Sequence, residues 1–349
     1  MVGMNAFSCI GPAWERMVQT CFRPFRFRVW AQLALIVLLA GETIGGGSGG
    51  NFGNYNHSGS SHPSRMPHLP ISHDVLLPLV LLASAILVLL VFAFAYLNAR
   101  ARFVLMDSVV ERTCRLSDMW RRWAMHANGY FTFALLIMIV SISVLVAAGF
   151  TIWRAYMTHG IGAISSSAGL IVFTLLFFML LSLIWLFAKD FVVPIMAFDN
   201  VPLGVAWERL RNIVAPEPGA FVLYIIARIL MAIVLGIVAL VVLIPAIIIL
   251  AIPLGLLIAA AAIAFKGSSM AIGMVVALAV LVFLPALLFV VGFVNVPFGV
   301  FFEALALEFL SYRLPSLSAA LRPLPPAPVA PSIPNPIPPS IPPAEPSPI

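Results

Sequence analysis

"NVPLGVAWERL" (Asn200–Leu210) lies between two long apolar runs, and "NVPFGVFFEAL" (Asn295–Leu305) closes the last of them. The two phrases agree at Asn, Val, Pro, Gly, Val, Glu and Leu. In so apolar a chain the Asn, Pro, Gly and Glu matches carry the information. Copies of a repeat in the same orientation need an even number of membrane crossings between them, so these phrases decide the span count. Looser relatives stand at "GPAWERM" (Gly11–Met17) and "RLSDMWRRW" (Arg115–Trp123). Trp14, Trp120 and Trp207 then open three units as interfacial anchors. Each unit is a short interfacial helix, a span out and a span back. This is a parallel repeat of the kind some transporters use.

The phrases matter because the chain is built for lipid. Hydrophobic residues make up 62% and charged residues 9%, against about 25% charged in soluble domains. Mean hydropathy is +1.09. Apolar runs of about 20 residues imply spanning helices, whose backbone groups are satisfied internally. The alternating period of a membrane β-barrel is absent. The expected class is therefore an all-α polytopic membrane protein. The formal charge of +6 does not point to nucleic acid: all but two of the 19 cationic residues are Arg, and most sit at the ends of apolar runs. That is the pattern of topology signals and headgroup contacts. Cys9, Cys21 and Cys114 lack CxxC spacing and read as free thiols.

The apolar runs are Val29–Ile44, Val75–Leu97, Tyr130–Phe150, Ala168–Ala188, Phe221–Phe265 and Ala271–Val294. Arg23, Arg26 and Arg28 precede the first. It resembles a signal peptide but reads as an uncleaved span. Arginines crowd the segments before run one, between runs two and three, and after the last run, which puts both termini in the cytoplasm. Run five is too long for one span and holds Pro245 and Pro253. The repeated phrase favours six spans, with residues 247–265 forming a broken or re-entrant segment. Seven spans is the alternative. Residues 1–28 form a cytoplasmic interfacial helix and arm. Residues 29–314 form the membrane domain, with a flexible outer loop at 45–73. Residues 315–349 are a Pro-rich disordered tail, which could dock a protein partner.

Within the central phrase, Asp199 or Asn200 can cap a helix, and Pro202 suits its first turn. Leu203, Ala206, Trp207 and Leu210 fall on one face, and the helix should stop at "APEPG" (Ala215–Gly219). Arg209 and Arg211 are candidate contacts for a lipid phosphate or anionic substrate. The plainer reading is that the helix only sets the depth of the next span. Arg100 and Arg102 offer guanidinium groups suited to bidentate phosphate contact. Arg228 is the one basic residue inside a span, where a charge is a functional candidate by default. Glu42, at the outer end of the first span, has a similar standing. Lys189 and Asp190 read as boundary residues. His57, His62, His68 and His73 lie in a Gly-rich loop without metal-site spacing. No cofactor, metal or catalytic motif is recognised, and membrane lipids are the expected partners.

Taken in order, "AWERM", "ARARFVLMDSVV", "KDFVVPIMAFDNVPLGVAWERL" and "PFGVFFEALALEFL" resemble one group of bacterial membrane proteins. That group is related to the membrane domain that precedes the catalytic domain in some glycerophosphoryl diester phosphodiesterases. The resemblance covers about residues 7–314. It implies a six-span fold in a bacterial cytoplasmic membrane and a lipid-related setting, and it transfers no catalytic residue. The expected function is a non-enzymatic module that binds lipid headgroups or scaffolds a partner. The alternative is a small-solute transporter using the repeats, the proline-broken segment near 245–253, and Arg228. A lipid-active enzyme is a third reading.

Overall fold

The long apolar runs become uninterrupted helices in the computed structural model, which describes residues 6–23, 25–42, 73–114, 116–160, 167–265 and 269–322. In chain order these are α1 (Ile10–Cys21), α2 (Phe27–Ala40), α3 (His73–Glu111), α4 (Leu116–Arg122), α5 (Ala124–His159) and α6 (Ala168–Phe187). A π-turn (Ala188–Val192) carries α6 into α7 (Val193–Phe198). Then come α8 (Leu203–Val214), α9 (Pro218–Ala264), α10 (Ser269–Ser311) and α11 (Pro315–Leu321). Five helices are long and apolar enough to cross a bilayer: α3, α5, α6 with its extension, α9 and α10. The chain is an all-α helical membrane protein.

Burial divides these helices along their length. In their most apolar windows no more than 11% of residues are buried, and side chains such as Leu89, Leu145, Phe173 and Ile249 stand bare. At one end the pattern inverts. The C-terminal ends of α3, α6 and α10 and the N-terminal ends of α5 and α9 pack with the short helices into a module. Phe103, Tyr130, Phe191, Tyr224 and Phe309 are fully buried there. Phe191, Phe221, Tyr224 and Phe309 pack edge-on or tilted with centroids 4.8–5.9 Å apart, joining the π-turn, α9 and α10. Above this module the 20 residues of α6, almost all apolar, rise about 30 Å, the thickness of the hydrocarbon layer. The bare band therefore belongs in lipid, and the module sits at one face of it.

The first apolar run departs from its expected role as a span. Helix α2 has 14 residues, about 21 Å, which is short of the ~30 Å hydrocarbon core. It lies within the module along α10, where Trp30 packs on Phe293 at 4.7 Å. Small residues permit this close approach: a Cβ on Gly292 would stand 3.0 Å from the Ala34 carbonyl oxygen, and one on Gly299 would stand 2.9 Å from Val37. Glu42, expected at the outer surface, instead meets Arg102. That contact lies roughly 40 Å along α3 from His73. Residues 43–72, which hold most of the expected flexible loop at 45–73, lie outside the described residues.

Run five is also simpler than expected. Helix α9 runs unbroken for 47 residues with Pro245 and Pro253 inside it, so residues 247–265 form neither a break nor a hairpin. Each proline removes one backbone donor bond, whereas a turn in the apolar band would strand several polar groups. Two long helices, α9 and α10, separate the phrases, but with α2 in the module five helices among the described residues are long and apolar enough to cross, not the six expected. The phrases themselves are not structural equivalents. The first opens α8, whereas the second lies inside the 43-residue α10. Helix α11 also extends the folded part past residue 314, with Leu317 and Leu321 buried. The remainder of the expected Pro-rich tail, from 323, lies outside the described residues.

Candidate functional site

The site begins where α2 ends. Gly41 adopts the left-handed conformation (φ 69°), its N–H donates to the Leu38 carbonyl, and the Glu42 N–H donates to the Val37 carbonyl. This is a Schellman motif, which stops a helix and fixes the direction of the residue after it. Asn98 of α3 satisfies another terminal carbonyl, donating from Nδ2 to Leu39 at 2.8 Å. The turn aims Glu42 into the module, not into water.

Three cations meet it there. Arg102 Nη1 donates to Glu42 Oε1 at 2.9 Å, Lys189 Nζ reaches the same oxygen at 2.5 Å, and Arg228 stands 3.9 Å from Oε2. Arg228 is bonded more closely to Asp190, at 2.5 Å, and Tyr224 donates its hydroxyl to that carboxylate at 2.9 Å. Lys189 and Asp190 are neighbours in sequence, yet both point inward. They lie on the π-turn, all five residues of which are buried; such turns interrupt the regular helical stripe. The Arg102 and Arg228 guanidinium groups also lie over Trp185 and Phe302, at 5.7 and 5.1 Å.

Two groups stand beside this network unpaired. Glu303 of α10 is half-buried and feels the charges of Glu42, Asp190, Lys189 and Arg102. Among the described residues it makes no ion pair or hydrogen bond. The hydroxyl of Tyr130 is buried without a hydrogen-bond partner and lies in the field of Arg102 and Glu42. A second ionic knot fastens the base of the module. Arg16 Nε donates to Glu308 at 3.1 Å, and Arg322 reaches the other oxygen of that carboxylate at 3.0 Å. Burial pushes the Arg16 guanidinium down, and Glu308 opposes the shift. Burial also pushes the Cys21 thiol up to about 12.

Of the arginines singled out from sequence, the fold brings together only Arg102 and Arg228. Arg100 lies over the Tyr96 and Trp120 rings, at 4.9 and 5.4 Å, and donates to the Trp120 carbonyl, so it ties α4 to α3. Arg209 pairs with Asp199, which also accepts from Ser316 at 2.7 Å. That tie replaces the expected helix cap: α8 has no side-chain cap, and Asn200 is left-handed (φ 53°). Arg211 is exposed and has no ion pair among the described residues. The expected face of α8 is correct, with Ala206 and Leu210 buried and Leu203 and Trp207 half-buried. Trp207 packs 5.9 Å from Phe133, and Trp14 packs 6.2 Å from Phe301.

Glu42 was a candidate from sequence, but Lys189 and Asp190 read only as boundary residues, and Glu303 was not singled out. A charge at the edge of an apolar run looks like a boundary marker. Only packing shows that the edges coincide. No group of His, Cys, Asp and Glu among the described residues could hold a metal ion. His57, His62 and His68 lie outside those residues.

Bare apolar helices fastened at one face by buried, ion-paired charges define a polytopic α-helical membrane protein with a charge-locked base. A family model described as "Family of unknown function (DUF7544)" matches residues 4–320, and the chain belongs to that family. No curated protein and no solved structure matches the chain. The family description names no activity, and the phosphodiesterase resemblance gains no support from it.

Proposed function

We propose that the protein is a non-enzymatic membrane module that holds five long helices in register and serves as a scaffold for lipids and partner helices. One observation carries this reading. Three cations of the core, Arg102 and Lys189 buried and Arg228 half-buried, are taken up by Glu42 and Asp190 directly beneath a band of helices whose apolar windows are at most 11% buried. Such a core locks helices together, and the free flanks above it are surface for lipid or for other membrane helices. Every described Lys or Arg except Arg154 lies at the module end, which supports a cytoplasmic module by the positive-inside rule. The sequence resemblance supports a bacterial cytoplasmic membrane.

The test is reconstitution of the full chain into liposomes, with small-solute and proton flux measured against empty vesicles. Flux at the level of empty vesicles is expected. The transport reading rests on the unpaired Glu303 and the unpartnered Tyr130 hydroxyl. Robust flux lost in Glu303→Gln would replace the scaffold with a transporter. Orientation is read separately from Cys114, which is half-buried in the module. An impermeant maleimide should reach it only after the cells are permeabilised.

A further inference from the structure

A groove of about 680 Å³ opens between the end of α6 and helix α8. Phe187, Trp207, Leu210 and Val214 form its apolar walls, and Glu208 and Arg211 form its rim. Phe187 is the last residue of the apolar run of α6, and Lys189 follows almost at once. The groove therefore faces the boundary where hydrocarbon gives way to headgroups.

The rim charges are available. Glu208 and Arg211 are exposed, and neither makes a hydrogen bond or ion pair among the described residues. They stand three residues apart on one helix, which sets their Cβ atoms roughly 5–6 Å from each other. Arg209, the nearest alternative, is already tied to Asp199. The rim thus offers one anion and one cation side by side, with no net charge, above an apolar wall containing a Trp. An anionic headgroup would leave Glu208 opposed. A zwitterionic one complements both.

We propose that this groove binds the headgroup of an aminophospholipid. The phosphate diester sits on Arg211, the primary ammonium sits on Glu208, and the glycerol and first acyl carbons lie against Phe187, Trp207 and Leu210. A guanidinium matches phosphate oxygens bidentately. A carboxylate accepts charge-assisted hydrogen bonds from a primary ammonium, and a quaternary choline has none to donate. The proposal rests on the module lying at a bilayer face, which the flux and labelling experiments test without reference to lipid identity.

The experiment is native mass spectrometry of the delipidated full-length protein in detergent, titrated with phosphatidylethanolamine, phosphatidylcholine or phosphatidylglycerol of identical chains. Ethanolamine lipid should bind about two- to fivefold more tightly than choline lipid, the range an exposed ion pair supplies. Glu208→Gln should abolish that preference while phosphate binding remains. Arg211→Gln should weaken all three lipids, and Arg121→Gln, at an exposed site away from the groove, should change nothing. Soluble glycerophosphoethanolamine should bind far more weakly than the lipid, because it leaves the apolar walls uncovered. Equal binding of ethanolamine and choline lipids, stronger binding of the glycerol lipid, or an unchanged Arg211→Gln variant would overturn the site. Tight binding of the soluble headgroup would overturn its assignment to a lipid.

Discussion

Removing the carboxylate of Glu42 is the sharpest test of the charge-locked base. In Glu42→Gln, Arg102 and Lys189 lose the group that holds them at 2.9 and 2.5 Å. Asp190 still satisfies Arg228, so two stranded cations determine the cost. Both partners and Glu42 itself are buried, with side chains 7–8% exposed, so the discount for surface pairs does not apply. Breaking a buried pair costs about 3–5 kcal/mol. At about 2 °C per kcal/mol for a chain of this size, the melting temperature should fall by about 6–10 °C. The assay is thermal or denaturant unfolding followed by circular dichroism in fixed detergent micelles. Glu42→Gln with Lys189→Met removes one of the stranded cations and should recover at least about 1 kcal/mol, since sites sharing a network do not add. A loss under about 1 kcal/mol in the single variant, or a double variant worse than the sum of its parts, would mean that water already screens these charges.

Three further outcomes follow from the packing. Gly299→Val places side-chain atoms where Val37 already stands; overpacking of this kind costs about 1–3 kcal/mol and should prise α2 from α10, read as a lower melting temperature. Glu308→Gln leaves Arg16 buried with its charge unmatched; proteolysis near the N-terminus should accelerate while the far ends of the long helices stay protected. Cys21, raised by burial from its ordinary 9 to about 12, should resist maleimide at pH 8–9 in the folded protein and react on unfolding. Because this acid is raised in the folded state, its stabilising contribution is present below pH 9 and lost as pH climbs towards 12; a melting series across that window reads the sign.

The limits of sequence reading show in particular residues. The apolar face of α8 was legible because helical period alone determines which positions share a side. Arg228 was legible because a lone charge in an apolar run is costly unless partnered. Its partner Asp190 was not, since a charge at the edge of a run looks the same whether water or another charge meets it. Proline misled in run five because its local cost suggests a break, whereas the bilayer makes a break costlier still.

Composition and run length by themselves determined that this chain is a helical membrane protein, because hydrocarbon leaves the backbone almost no other choice. Which end of each helix gathers, that α2 stays in the module, and that Glu42, Arg102, Lys189, Asp190 and Arg228 form one core were decided only by tertiary structure. Those outcomes depend on close approach at Gly292 and Gly299 and on charges separated widely along the chain finding one another. Pairing of that kind leaves no period or spacing in the sequence to read.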